Sequence, residues 1–198
     1  MDSDEILKIS KIAFRRLISS PKGYRGLIYS SRDGRIREPE VRYIFCNVLD
    51  ENGYKFGLEV PTKNKYCFSG KRSKRALTDL SIFGGGKQKI NIEFKEGPTR
   101  QTEVDGNIEK LIREPNPSVL IHFLPTREND FNPEHPKILM RLIIKLNNSL
   151  SKFKAKDNFW ILFVIMVRDH NELWYLTKQK ENLGKISLEE FKKVTMKI

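Results

Sequence analysis

The longest apolar run in this sequence, Phe159 to Val167, has nine residues and is bounded by Asn158 and Arg168. It is too short to cross a bilayer, which takes about 20 residues as a helix, so it reads as a fully buried strand. A strand of that kind belongs inside a sheet with other elements packed over it, and the rest of the chain supplies them. Ile6, Ile9, Ala13 and Leu17 recur at helical spacing, predicting a helix over 3–19 that Pro21 and Gly23 end. Val41, Ile44, Phe45, Val48 and Leu49 form a second stripe. Glu38-Pro39-Glu40 opens it with a proline and two acids suited to a first turn, and Asn52-Gly53 closes it.

A strand from Tyr54 to Pro61 and a basic loop from Lys63 to Arg75 follow. Two strands, Ala76 to Phe83 and Ile90 to Glu96, flank Gly84-Gly85-Gly86-Lys87, a hairpin signal. Helices near Thr102–Arg113 and Pro136–Leu150 enclose the strand Ser118–Leu124. A strand near Leu173–Thr177 and a short helix from Ser187 complete the order α-α-β-β-β-α-β-α-β-β-α. The expected class is α/β: a mixed central sheet flanked by helices, within one domain spanning 1–198.

Charge is distributed unevenly. The 198 residues hold 37 Lys+Arg against 25 Asp+Glu, a formal net charge of +12. From Lys11 to Arg37 there are eight basic residues and one acid; from Lys63 to Arg100 there are ten and three. Each segment nets +7, so the remainder sums to −2. Concentrated positive charge points to a polyanionic partner, and the few acids inside these segments become the residues to explain.

The hairpin explains two of them. With the turn centred on Gly86, positions of opposed residues sum to 172, which pairs Thr78 with Phe94, Leu80 with Ile92 and Ile82 with Ile90. Asp79 then faces Glu93, and alternation puts Lys95 on the same face. Opposed Cβ atoms are about 4.5–5.5 Å apart. Two carboxylates so close repel unless a cation lies between them, and Mg²⁺ favours one or two carboxylates with water and phosphate oxygens. A bulge at the glycine turn would shift this register by one.

Glu40, Asp79 and Glu93-Phe94-Lys95, in an α-β-β-β-α-β context, resemble the PD-(D/E)XK nuclease superfamily, the restriction-endonuclease-like fold. The resemblance covers roughly residues 38–125. Thr78 stands where the motif has its proline, and Glu38 and Glu59 compete with Glu40, which is preferred because it shares the stripe of Ile44 and Val48. The resemblance implies a metal-dependent endonuclease hydrolysing phosphodiester bonds, with catalytic Glu40, Asp79, Glu93 and Lys95. Mg²⁺ (or Mn²⁺) would be held by Asp79, Glu93 and the Phe94 carbonyl, with Glu40 contributing through water or a second ion. It implies a core over 38–125, with 1–37 as N-terminal helix and basic loop and 126–198 as C-terminal helix and strands.

DNA is favoured over RNA as the substrate; the alternatives are an RNA-cleaving nuclease of the same fold and a non-catalytic nucleic-acid-binding module. Lys71, Arg72, Lys74 and Arg75 lead into the strand of Asp79. Arg35 and Arg37, with Tyr24, Arg25 and Arg32, precede the helix of Glu40. The first group is placed to hold phosphates near the metal, and the second to line the substrate cleft, with Arg35 and Arg37 as its nucleic-acid-binding residues. Homodimerisation stays open, with the residues after 125 able to supply the surface.

Other chemistries find no support. The glycine run lacks the Gly-Lys-Ser/Thr ending of a P-loop. His122, His135 and His170 have no ligand spacing, and His122 reads as a core residue. Two cysteines, Cys46 and Cys67, make no disulfide framework, and the acidic N-terminus is not a signal peptide. The expectation is a soluble cytoplasmic protein without a membrane partner.

Overall fold

The computed structural model describes residues 1–19, 37–66, 74–97, 99–124, 137–154, 159–167 and 170–196. Its helices begin and end where local chemistry satisfies their open backbone groups. Asp2 Oδ1 accepts the amides of Asp4 and Glu5 at 3.0 and 2.9 Å, which starts α1 (Ser3–Ser19). α2 (Glu38–Glu51) starts with Glu40 Oε2 accepting the Arg37 amide at 2.7 Å and ends at Asn52 and Gly53, where φ is +75°. α3 is Gln101–Arg113 and α4 is Lys137–Leu150.

The strands are β1 (Lys55–Tyr66), β2 (Lys74–Gly84), β3 (Lys87–Glu96), β4 (Ser118–Leu124), β5 (Trp160–Val167), β6 (Glu172–Gln179) and β7 (Lys192–Thr195). They form one seven-stranded sheet in chain order. β1, β2 and β3 pair antiparallel, β3–β4 and β4–β5 pair parallel across α3 and α4, and β5, β6 and β7 are again antiparallel. A mixed sheet follows from its connections: hairpins make antiparallel neighbours, whereas a parallel pair needs a crossover.

Each sheet face has its own core. α1 and α2 cover Ile92, Phe94, Val119, Ile121, Leu162 and Val164, with Phe45 meeting Phe94 edge-on at 5.5 Å between ring centroids. α3 and α4 cover Leu120, Leu124, Ile161, Phe163 and Ile165. Alternate residues of β5 therefore feed opposite cores, which accounts for its unbroken apolar run. Among the described residues no helix is long and apolar enough to cross a membrane.

Two sequence expectations change. The stretch read as a basic loop over 63–75 is strand at both of its ends: Lys63–Tyr66 continues β1, Lys74 and Arg75 begin β2, and residues 67–73 lie outside the description. The C-terminal helix expected from Ser187 is a single 3-10 turn, Leu188–Glu190, followed by β7. Ser187 and Glu190 supply the helix-start chemistry, with the Ser187 amide on Glu190 Oε2 at 2.7 Å. Tertiary pairing of 192–195 with the edge of β6 then overrides helical propagation.

Candidate active site

The β2–β3 hairpin turns at Gly85 and Gly86, whose φ values of +58° and +73° suit the two-residue turn that matches strand twist. Gly84 pairs with Lys87 and Phe83 with Gln88, but the next pair is Ile82 with Ile90. Lys89 is thus an extra residue on β3, a bulge. Beyond it Ser81 pairs with Asn91 and Leu80 with Ile92, the register expected from the sequence. Continued one step, it sets Asp79 opposite Glu93. Without the bulge, the turn would set Asp79 opposite Ile92 and turn Glu93 to the other face.

The regular β2–β3 ladder stops at Leu80–Ile92. Asp79 Oδ2 instead accepts the amide of Phe94 at 2.8 Å, standing in for a strand carbonyl. Strand geometry sends the Phe94 carbonyl out on the same edge as its amide, towards Asp79.

Glu93 faces α3 and is 1% exposed. Its Oε2 accepts from Lys110 Nζ at 2.6 Å, while Oε1 is buried without a hydrogen-bond partner among the described residues. Burial, first, and the charge of Asp79, second, push the Glu93 carboxyl up to about 7, against the opposing pull of Lys110 and Lys95. Lys110, on α3, also donates to the Leu77 carbonyl at 3.0 Å. Lys95 Nζ lies 3.3 Å from Glu38 Oε2. Burial raises the Glu38 carboxyl too; Lys95 lowers it and Asp79 raises it, which places Glu38 within the field of the same site.

The structure thus gathers Glu38, Asp79, Glu93, Lys95 and Lys110. Glu40 is 4% exposed and on the inward stripe, but its carboxylate caps α2 on the Arg37 amide. Glu38 and Glu40 are two positions apart, about 200° around a helix, so only one of them can point at Lys95. Glu59 lies beside Asp79 in the β1–β2 register, between the pairs Leu58–Leu80 and Val60–Thr78, exposed and with φ +50°. A non-glycine residue in that region costs about 1–2 kcal/mol. Arg37 and Arg75 are exposed. Lys74 pairs with Tyr66, its side chain outside the description. Lys71, Arg72, Arg35, Tyr24, Arg25, Arg32 and His135 lie outside the described residues.

Lys110 was not legible in the sequence. Its only signal is position, beside the buried stripe of Ile108, Leu111 and Ile112 on a helix that follows the Glu93 strand. His122 behaves as a core residue: it is buried, its Nε2–H donates to the Gly97 carbonyl at 2.8 Å, and burial pushes its pKa down to about 4.

Among the described residues no three His, Cys, Asp or Glu side chains converge as a ready-made metal cage. The carboxylates of Asp79 and Glu93, the latter with an Oε1 that has no partner among the described residues, and the Phe94 carbonyl are nevertheless the hard oxygen donors that Mg²⁺ accepts while keeping several waters. The donor set fits.

No family model matches the sequence, and no curated protein matches it. Among solved structures the chain is similar to the central domain of yeast acetyl-CoA carboxylase, at 10% identity over 90% of this chain and 34% of that one, with a TM-score of 0.35. This chain spans about a third of that chain's length, and so loose a likeness carries no argument.

Proposed function

We propose that the protein is a Mg²⁺- or Mn²⁺-dependent nuclease of the PD-(D/E)XK type, cleaving phosphodiester bonds with DNA as the favoured substrate. The observation that carries this reading is the buried Oε1 of Glu93 beside Asp79, without a partner among the described residues, with Lys95 on the same sheet face. The succession α2-β1-β2-β3-α3-β4, with β3 and β4 parallel, supports it, since that is the core the resemblance implies. Asp79, Glu93 and the Phe94 carbonyl would hold the cation. When bound, the cation supplies Lewis-acid charge that acidifies water and offsets charge building on the phosphate oxygens.

The chain's own groups do the rest. The Lys95 ammonium orients the attacking water and stabilises charge on the phosphoryl oxygens, and Glu38 holds that ammonium in place. Lys110 neutralises Glu93 Oε2 and keeps the carboxylate oriented. The exposed guanidinium groups of Arg37 and Arg75 attract the backbone of the substrate.

The test is a cleavage screen of single- and double-stranded DNA and RNA with Mg²⁺, Mn²⁺ or EDTA. We expect cation-dependent cleavage that falls at least about 100-fold in Asp79→Asn and Lys95→Ala, with substrate binding retained. No cleavage of any substrate with either cation would overturn the reading. The Lys110–Glu93 ion pair favours a second one, a nucleic-acid-binding module without catalysis, because a lysine already neutralises the carboxylate. Under that reading the protein binds the same strands but never cuts them.

A further inference from the structure

A pocket of about 150 Å³ lies on the α3/α4 face, next to the candidate active site. His122 lines it and neighbours Lys95 across the parallel β3–β4 ladder, about 4.8 Å away from strand to strand. The position is the carboxyl end of the parallel strands, where open α/β sheets bind ligands.

Its walls carry two cations and a hydroxyl. Arg141 and Lys145 are one turn apart on α4. Lys145 Nζ is tethered to the Thr99 carbonyl at 2.6 Å, whereas exposed Arg141 makes no hydrogen bond or ion pair among the described residues. Thr99 is only 7% exposed, and its Oγ1 is buried without a partner among those residues. A buried hydroxyl left unpaired costs about 1–3 kcal/mol, so it calls for a ligand. None of the described lining residues is acidic, and Leu124 and Leu142 add an apolar wall.

We propose that this pocket holds a phosphate group of the nucleic-acid substrate, one nucleotide or more from the bond that is cut. The inference deepens the nuclease reading and rests on it for the identity of the ligand. Arg141, Lys145 and the Thr99 hydroxyl donate to the phosphate oxygens, and the sugar carbons lie on the leucine wall. The phosphate is either an internal phosphodiester or a terminal phosphomonoester; the chemistry is shared.

Fluorescence anisotropy in EDTA, with a short DNA strand carrying either a 5′ phosphate or a 5′ hydroxyl, tests it on the full chain. Arg141→Ala should weaken binding roughly tenfold. Thr99→Val should weaken it several-fold while its thermal midpoint stays level or rises, because the substitution removes an unpaired buried hydroxyl. A merely structural threonine would do the opposite. Loss confined to the phosphorylated strand identifies a terminal phosphate; equal loss on both identifies an internal one. Unchanged binding by both variants overturns the proposal, as does an equal loss in Lys87→Ala, an exposed lysine at the far end of the hairpin. Because this assay in EDTA reads binding without cleavage, a failed cleavage screen and a failed pocket give different results.

Discussion

At Glu93 the chain places an acid where ionisation is costly, and the sign of the consequence is fixed. In the folded protein the carboxyl is raised from its usual 4.5 to about 7 by burial and by Asp79. Below pH 4.5 both folded and unfolded chains hold the proton, and stability is unaffected. As pH rises from 4.5 through about 7, the unfolded chain releases the proton first, so stability falls, by about 3 kcal/mol in all. Urea unfolding in EDTA should therefore show a decline over that window that Glu93→Gln abolishes. Lys110→Ala should push the carboxyl higher still and extend the decline, since that ammonium is the first of the groups lowering it. Lys110 itself shows where residue-level reading stops. Nothing in its neighbours along the chain marks it as Glu93's partner, because the contact joins a helix to a strand 17 positions away. Asp79, Glu93 and Lys95 were legible because period-two alternation is local. The choice of Glu38 or Glu40 was not, since both suit a first turn and only the approach of α2 to β3 separates them.

Two elements hold the site in register. The Lys89 bulge converts the register of a two-residue glycine turn into the one that puts Asp79 and Glu93 on a single face. Lys89→Ala should change stability by no more than about 0.5 kcal/mol, whereas deleting Lys89 should cost more than about 2 kcal/mol in urea unfolding and abolish cleavage. At the other edge, Glu114 ties β1 to the end of α3. Its carboxylate, 1% exposed, accepts the amides of Lys63 and Asn64, each at 2.9 Å, and the Tyr66 hydroxyl at 2.7 Å. Buried Lys180 donates to the carbonyls of Glu114 and Asn116, at 3.0 and 2.6 Å, at the negative end of the α3 dipole. Glu114→Ala removes the acceptor of the Lys63 and Asn64 amides and of the shorter hydrogen bond of the Tyr66 hydroxyl, and should destabilise by about 3 kcal/mol, again read by urea unfolding. β1 was expected to end at Pro61. Its extension to Tyr66 depends on this carboxylate from 50 residues along the chain, which no local pattern announces.

For the molecule as a whole, the proposed function and the net charge of +12 together predict that affinity for nucleic acid depends on salt. Each phosphate neutralised adds roughly 0.9 to the slope of log K against log salt, so three or more contacts give a slope steeper than about −2.5 by anisotropy titration. A flat plot would remove the polyanion reading altogether. Most of the architecture was legible without coordinates. Helical and alternating periodicities are short-range, and they mark the four helices and the strands β1 to β6 to within a few residues, β1 and its length aside. The C-terminal turn and β7 escaped because Lys192–Thr195 becomes strand only by pairing with β6. The sequence by itself determined the four helices, the strands β1 to β6 and the shared face of Glu93 and Lys95 on β3, since side-chain direction follows from backbone period. Tertiary structure alone decided what meets those groups: Lys110 from α3, Glu38 from α2, and the pocket between β4 and α4. Those contacts span many residues, and their geometry depends on how helices seat on a sheet rather than on any repeat within them.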